Sequence, residues 1–377
     1  MKFPIRRGYV SSIVWLAGTG VGAAAVAGAA MLASAPSAAR LADGPGIHEL
    51  SKDLTYLGSG SCTGSGCHSG EAKKWCEDKM IGDENGIWQD SDPHAKAFRS
   101  LTNDKGKKIA AAMKIDNAGT SAKCTSCHAM DAPKKGEKLK DLAKEGVGCE
   151  SCHGPAEKWK EPHQKKCWTK DQRAAGGAKG LWTNYGLFDT TDLVNRASMC
   201  VSCHMQIDKE LLDAGHPALE FELYSYNNYK FLDKYKTHWS DPETPALKAQ
   251  MWAVGQVVTG AAAEAAKDKN ADLVKVYAAG KGIAKAHFGS DDAATLARTA
   301  PAKDKIVAAA GALAAAAGDF KGNKLTRNIV TAGVDALVSA TMEKDAPDAY
   351  FDALDAAGKA EGDSWVEAVK KLASFAK

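Results

Sequence analysis

Three stretches of this chain set two cysteines two residues apart, with a histidine directly after the second. They are Cys124-Thr125-Ser126-Cys127-His128, Cys149-Glu150-Ser151-Cys152-His153 and Cys200-Val201-Ser202-Cys203-His204. A fourth runs from Cys62 to Cys67 and His68, with four residues between the cysteines. Two thiols so spaced can form thioethers with the two vinyl groups of a porphyrin, and the adjacent histidine can then ligate its iron. A zinc half-site needs no histidine at that position, and a redox dithiol wants a βαβ context that this sequence lacks. In the stretched motif Gly64 and Gly66 let the longer loop fold compactly. A disulfide or a single-thioether haem is the alternative there. The expectation is about four molecules of haem c, held by Cys62, Cys67, Cys124, Cys127, Cys149, Cys152, Cys200 and Cys203, with His68, His128, His153 and His204 as proximal ligands.

A haem iron readily takes a sixth ligand. Of ten histidines, six remain for that role: His48, His94, His163, His216, His238 and His287. His94 opens the helical-looking stretch Asp92 to Phe98. His163 follows the third motif behind Gly154-Pro155. His216 sits in Asp213-Ala214-Gly215-His216-Pro217, where small residues leave room for a porphyrin plane. These three are the candidates for axial ligation. His238 and His48 are weaker ones, and each of the five could instead be an ordinary polar histidine. Met130 and Met205 lie just beyond proximal histidines, and core packing is the better reading for both.

The elements that must position these residues fall into three parts. Residues 1–39 read as a secretory signal peptide or an N-terminal anchor. Lys2, Arg6 and Arg7 precede an uncharged run from Gly8 to Ala39, and Ala33-Ser34-Ala35 and Ser37-Ala38-Ala39 are small-residue cleavage candidates. The run is long enough to span a bilayer, so membrane association stays open. Losing those three cations would take the net charge from +3 to 0, and haem propionates would then leave the protein acidic. Nothing points to nucleic acid. Residues 40–240 hold every cysteine and most of the histidines. Their periodicity is poor, as expected where haems fill the core, with short helices expected around Ser69–Trp75 and Ser91–Leu101. The two cysteines outside the motifs, Cys76 and Cys167, are an expected disulfide pair in an oxidising compartment.

Residues 241–377 have no cysteine and are rich in alanine. Ile306, Ala310, Leu313 and Ala317 share one helical face. So do Val330, Val334 and Leu337, and again Trp365, Val369 and Leu372. Ser364 and Glu367 suggest a capping box, Pro301 a helix's first turn, and Gly318 and Gly358 helix stops. The fold class expected is mainly α: an irregular multihaem cytochrome domain with short helices around its haems, followed by an Ala-rich helical bundle that braces it or presents it to a partner.

Over roughly residues 56–225 the chain resembles the cytochrome c-554 family of tetrahaem electron carriers. The resemblance rests on Tyr56-Leu57-Gly58-Ser59, on His94-Ala95-Lys96-Ala97 and above all on Gly146-Val147-Gly148-Cys149-Glu150-Ser151-Cys152-His153-Gly154-Pro155. Ala214-Gly215-His216-Pro217, Phe221-Glu222-Leu223 and Trp252-Ala253-Val254-Gly255-Gln256 are similar to the wider multihaem family. The resemblance implies closely packed haems, most with two histidine ligands. It sets His94 opposite His153, His163 opposite His204 and His216 opposite His68. It leaves the haem on His128 open, or closed by His238 or His48. The lengthened first motif departs from the pattern, and the stretch after Trp252 lacks the further motif of larger relatives.

The function expected is a periplasmic multihaem c-type cytochrome that relays electrons between redox partner proteins. The alternative is a haem enzyme acting on a small nitrogen oxide, hydroxylamine or peroxide at a five-coordinate haem on His128. Donor, acceptor and potentials are not encoded in any recognisable motif.

Overall fold

The computed structural model describes residues 54–64, 67–71, 73–76, 79–130, 142–205, 207–228, 244–265, 271–342 and 346–377. The candidate leader, His48 and His238 lie outside them, as does the expected domain boundary near residue 240. Among the described residues no helix is long and apolar enough to cross a membrane.

The architecture is mainly α. Its one sheet among the described residues is a small antiparallel hairpin, β1 (Lys73–Cys76) with β2 (Lys79–Ile81), in which Lys73 faces Ile81 and Lys74 faces Met80. The hairpin replaces the helix expected at Ser69–Trp75. A short strand needs alternation rather than a helical stripe, and Trp75 half-buried beside buried Cys76 supplies the inward end.

From there short helices follow one another: α1 (Glu84–Ser91), a 3₁₀ turn over Pro93–Lys96, α2 (Ala97–Thr102), α3 (Asp104–Ala112), α4 (Ala122–His128), α5 (Cys149–His153) and α6 (Lys160–His163). Side-chain caps punctuate them. The Asp92 carboxylate accepts from the His94 backbone N–H at 2.9 Å, with Pro93 opening the turn. The Asn103 carbonyl accepts from the Gly106 N–H at 2.8 Å. The helices expected at Ser91–Leu101 are therefore present, divided at the cap. Longer α7 (Trp168–Tyr185) and α8 (Leu193–His204) then lead through α9 (Lys209–Asp213) to α10 (Leu223–Asn228).

The remaining helices are α11 (Pro245–Ala265), α12 (Ala271–Phe288), α13 (Ala293–Arg298), α14 (Lys303–Ala315), α15 (Lys324–Ser339), α16 (Asp348–Lys359) and α17 (Gly362–Ala373). The three apolar stripes read from the sequence are all buried here. Each fully buried Leu, Ile or Val contributes about 1.5–3 kcal/mol.

The end signals were less faithful. Helix α17 begins at Gly362, two residues before Ser364, so Ser364 is inside the helix and caps nothing. Glu367 instead meets Lys370 at 2.9 Å. Pro301 precedes the N-cap Ala302 of α14. Gly318 lies in the 3₁₀ turn that ends α14, whereas Gly358 is carried inside the last turn of α16.

One apolar core runs through the bundle and into the cysteine-rich part. It joins Trp252, Val334, Leu337 and Trp365 to Leu193, Ala197 and Val201 of α8, the helix that ends in the fourth motif. Two of the sequence segments that resemble multihaem proteins meet here. A side chain on Gly255 would come within 2.9 Å of Leu223 Cβ, so glycine lets α11 lie against the Phe221-Glu222-Leu223 segment. The Tyr277 hydroxyl of α12 donates to the Phe221 carbonyl at 2.6 Å. Phe221 in turn packs its ring against His204, centroids 5.5 Å apart. The bundle thereby braces the fourth motif.

Candidate haem-binding site

The three strict motifs are helical: α4 and α5 span two of them and α8 ends in the third. Residues three and four apart lie on one helical face. Both sulfurs and the imidazole of each motif therefore project to the same side. The stretched motif is built otherwise. Cys62 closes a 3₁₀ turn over Ser59–Cys62, and Cys67 and His68 follow in a bend. Its side chains nevertheless reach the same place.

That place is a cavity of about 1580 Å³, lined by all eight motif cysteines together with His68, His94, His128, His153, His163, His204 and His216. An ordinary small-molecule pocket measures about 300–1,000 Å³. The other histidine that the structure describes, His287, sits in the last turn of α12 and does not line it. Met130 and Met205 are buried in packing, as expected.

The histidines face one another across this cavity. The rings of His68 and His163 are 6.2 Å apart and nearly parallel, at 9°. Those of His94 and His204 are 6.2 Å apart, and those of His128 and His216 are 6.1 Å apart. Two imidazole nitrogens each about 2.0–2.1 Å from a shared metal would put their ring centroids about 6.3 Å apart. The spacing thus fits an iron between each pair. The partners differ from those the resemblance implied. His163 faces His68 rather than His204, His94 faces His204 rather than His153, and His216 faces His128 rather than His68. The difference matters most at His128, where His216 faces the position expected to be open or closed by His238 or His48.

Several outer ring nitrogens are held as ligating histidines require, with Nδ1 engaged and Nε2 left for the cavity, whereas His204 Nδ1 is buried without a hydrogen-bond partner. His68 Nδ1 donates to Glu84 Oε2 at 3.2 Å, and His94 Nδ1 lies 2.9 Å from Asp92 Oδ1. His216 Nδ1 donates to the Pro217 carbonyl at 2.8 Å, and His163 Nδ1 to the Lys160 carbonyl. His128 Nδ1 lies between Ser100 Oγ at 2.8 Å and the Ala97 carbonyl at 3.1 Å. Burial holds His128 and His163 below the ordinary imidazole pKa and takes His204 down to about 3. All three are therefore neutral, the form that ligates a metal. Glu84, Asp92 and Ser100 escaped the sequence reading. Asp92, two residues before His94 in Asp-Pro-His, had the one recognisable signal.

The motifs lie side by side in an order that is not their order in the chain. Cys62 of the first lies beside Cys149 of the third, and Cys127 of the second beside Cys203 of the fourth. Cys152 of the third lies within electrostatic range of Cys200 and Cys203 of the fourth. The spatial sequence is first, third, fourth, second.

The specific decapeptide around the third motif is explained by contacts. Glu150, fully buried, accepts backbone N–H groups from Leu57 at 2.9 Å, Gly58 at 2.7 Å and Ala156 at 2.6 Å. It ties the segment entering the first motif to the helix carrying the third. Gly146, at φ +79°, passes so close to the His94 carbonyl that a Cβ would sit 2.5 Å from it. The Val147 N–H then donates to that same carbonyl at 3.0 Å. Cys76 and Cys167 form the expected disulfide, which joins β1 to the residue before α7.

Eight cysteine sulfurs and seven imidazoles around one cavity are a donor set that fits covalently attached haem, and the chain is a c-type cytochrome. Residues 62–154 match the family described as cytochrome c554 and c-prime. Cytochrome c-554 of Nitrosomonas europaea is 30% identical over 122 residues, which are 31% of this chain and 45% of that protein. This chain thus spans less than half the length of that relative. No solved structure matches. Over its haem-motif region the protein is similar to the cytochrome c-554 family.

Proposed function

We propose that this protein is an exported, periplasmic electron carrier that holds about four haems c and passes electrons among them between two redox partner proteins. The observation that carries the reading is the convergence of eight motif cysteines and seven histidines on one cavity, with three pairs of imidazoles facing at about 6 Å. Haem c supplies one-electron redox chemistry when bound. The chain's own contribution is geometric. Cys62/Cys67, Cys124/Cys127, Cys149/Cys152 and Cys200/Cys203 would tether each haem, and the adjacent histidines would ligate from one side. His163, His216 and His94 would ligate from the other side opposite His68, His128 and His204. Two strong imidazole ligands favour rigid, low-spin iron of low potential.

The order first, third, fourth, second gives such a relay two ends, at the first and second motifs. The alternative of catalysis at an open haem on His128 finds no support in a position faced by His216. Mass spectrometry of the purified protein should count four haems, and electron paramagnetic resonance should find low-spin signals from the three facing pairs. Fewer than three haems, or high-spin iron throughout, would sink the reading.

A further inference from the structure

The two ends of the array are built alike except for one group. At the second-motif end, His128 is held by a hydroxyl and a carbonyl, and His216 by a carbonyl. At the first-motif end, His163 is held by a carbonyl, but His68 is held by the Glu84 carboxylate. A carboxylate on Nδ1–H draws the imidazole toward imidazolate, and a more basic ligand stabilises ferric over ferrous iron.

Glu84 is fixed for that role. It is the first residue of α1, and both its carboxylate oxygens also accept from the Gly82 N–H at 2.9 Å. The Asn85 N–H donates to the His68 carbonyl at 2.8 Å, so the start of α1 is fastened to the main chain of the histidine it serves. Both side chains are about three-quarters buried, at 30% and 26% exposure, which limits screening of the charge.

We propose that Glu84 is a positioning residue that lowers the reduction potential of the centre held by His68 and His163, making the first-motif end the low-potential end of the array. Electrons then enter at the first motif and leave at the second. The inference rests on the reading that Cys62, Cys67 and His68 carry a haem.

The test is a spectroelectrochemical titration of the full-length haem-loaded protein and its Glu84→Gln variant, each with a haem count by mass spectrometry and a paramagnetic resonance spectrum. The expected result is an unchanged haem count, low-spin iron at His68, and one centre whose reduction equilibrium moves about tenfold toward ferrous, about 59 mV for one electron. The reciprocal variant, Ser100→Asp, puts a carboxylate beside His128 and should move a different centre the opposite way. It keeps the inference testable if Glu84→Gln folds poorly, since an unmoved centre there overturns it too. Unmoved waves in Glu84→Gln, or high-spin iron at His68, would leave Glu84 a merely structural contact. A wild-type count that lacks a haem on Cys62–Cys67 would instead overturn the haem reading itself, and the count tells the two failures apart.

Discussion

His128 and His216 face each other with ring centroids 6.1 Å apart and planes at 72°. One belongs to the second motif and the other follows the fourth, and both Nδ1 atoms are turned outward to acceptors. Replacing His216 by alanine is expected to convert one centre to high spin and to let it bind carbon monoxide, while the haem count stays the same. Paramagnetic resonance with and without carbon monoxide reads this directly. A spectrum that stays low-spin would mean that another residue closes the site.

The Cys76–Cys167 disulfide joins the two segments that carry the histidines of the first site, with Cys76 shortly after His68 and Cys167 shortly after His163. Removing it as the Cys76→Ser/Cys167→Ser pair is expected to cost about 2–4 kcal/mol, mainly by freeing the unfolded chain. Urea unfolding of the variant should show this. Part of the His68/His163 centre should also become high-spin, and the other centres should not.

Glu150→Ala leaves three backbone donors, on Leu57, Gly58 and Ala156, without their acceptor. Buried donors left unpaired cost about 1–3 kcal/mol each. The variant should melt well below the parent or fail to mature, whereas Glu150→Gln, which keeps an acceptor oxygen, should be milder. Thermal unfolding followed in the haem absorption band distinguishes them, and equal midpoints for parent and Glu150→Ala would refute the assignment.

Glu222 gives a pH dependence with a defined sign. It is buried, and burial pushes its carboxyl up to about 7, although Tyr224 and Ser225 donate backbone N–H groups to it at 3.1 and 2.6 Å. The folded state therefore holds a proton that the unfolded state releases near pH 4.5. Stability from this group is fully present below about pH 4.5 and falls as pH rises through about 7. Glu222→Gln should remove that slope. Melting temperatures from pH 4.5 to 8 would show the difference between the two proteins shrinking toward the acid end. A constant difference would count against it.

What the sequence disclosed follows the range of the interaction. Haem attachment is local: Cys200, Cys203 and His204 lie within two helical turns, so their spacing announces them. The bundle stripes, such as Trp365, Val369 and Leu372, are equally local and proved buried. The face-to-face pairing of histidines is long-range, and in the structure it differs from the one that the family resemblance implied. Tertiary contact also displaced the smaller signals. Ser364 has the chemistry of a cap, but α17 starts at Gly362 beside Glu361, which reaches Arg327 at 2.9 Å. Glu150 is an unremarked filler in its motif until the chain from Leu57 folds back onto it.

Each of the three facing pairs joins a histidine that precedes the third motif to one that follows it. During synthesis the first two motifs are complete long before His163, His204 or His216 exists. Haem attached to the first two motifs as they emerge from export would therefore wait half-ligated, exposed to stray ligands, until nearly the whole cytochrome region has followed. Closure of these three sites is then a late event, whatever the order in which the haems are attached. A chain truncated before His163 should carry haems yet hold none of these three sites closed.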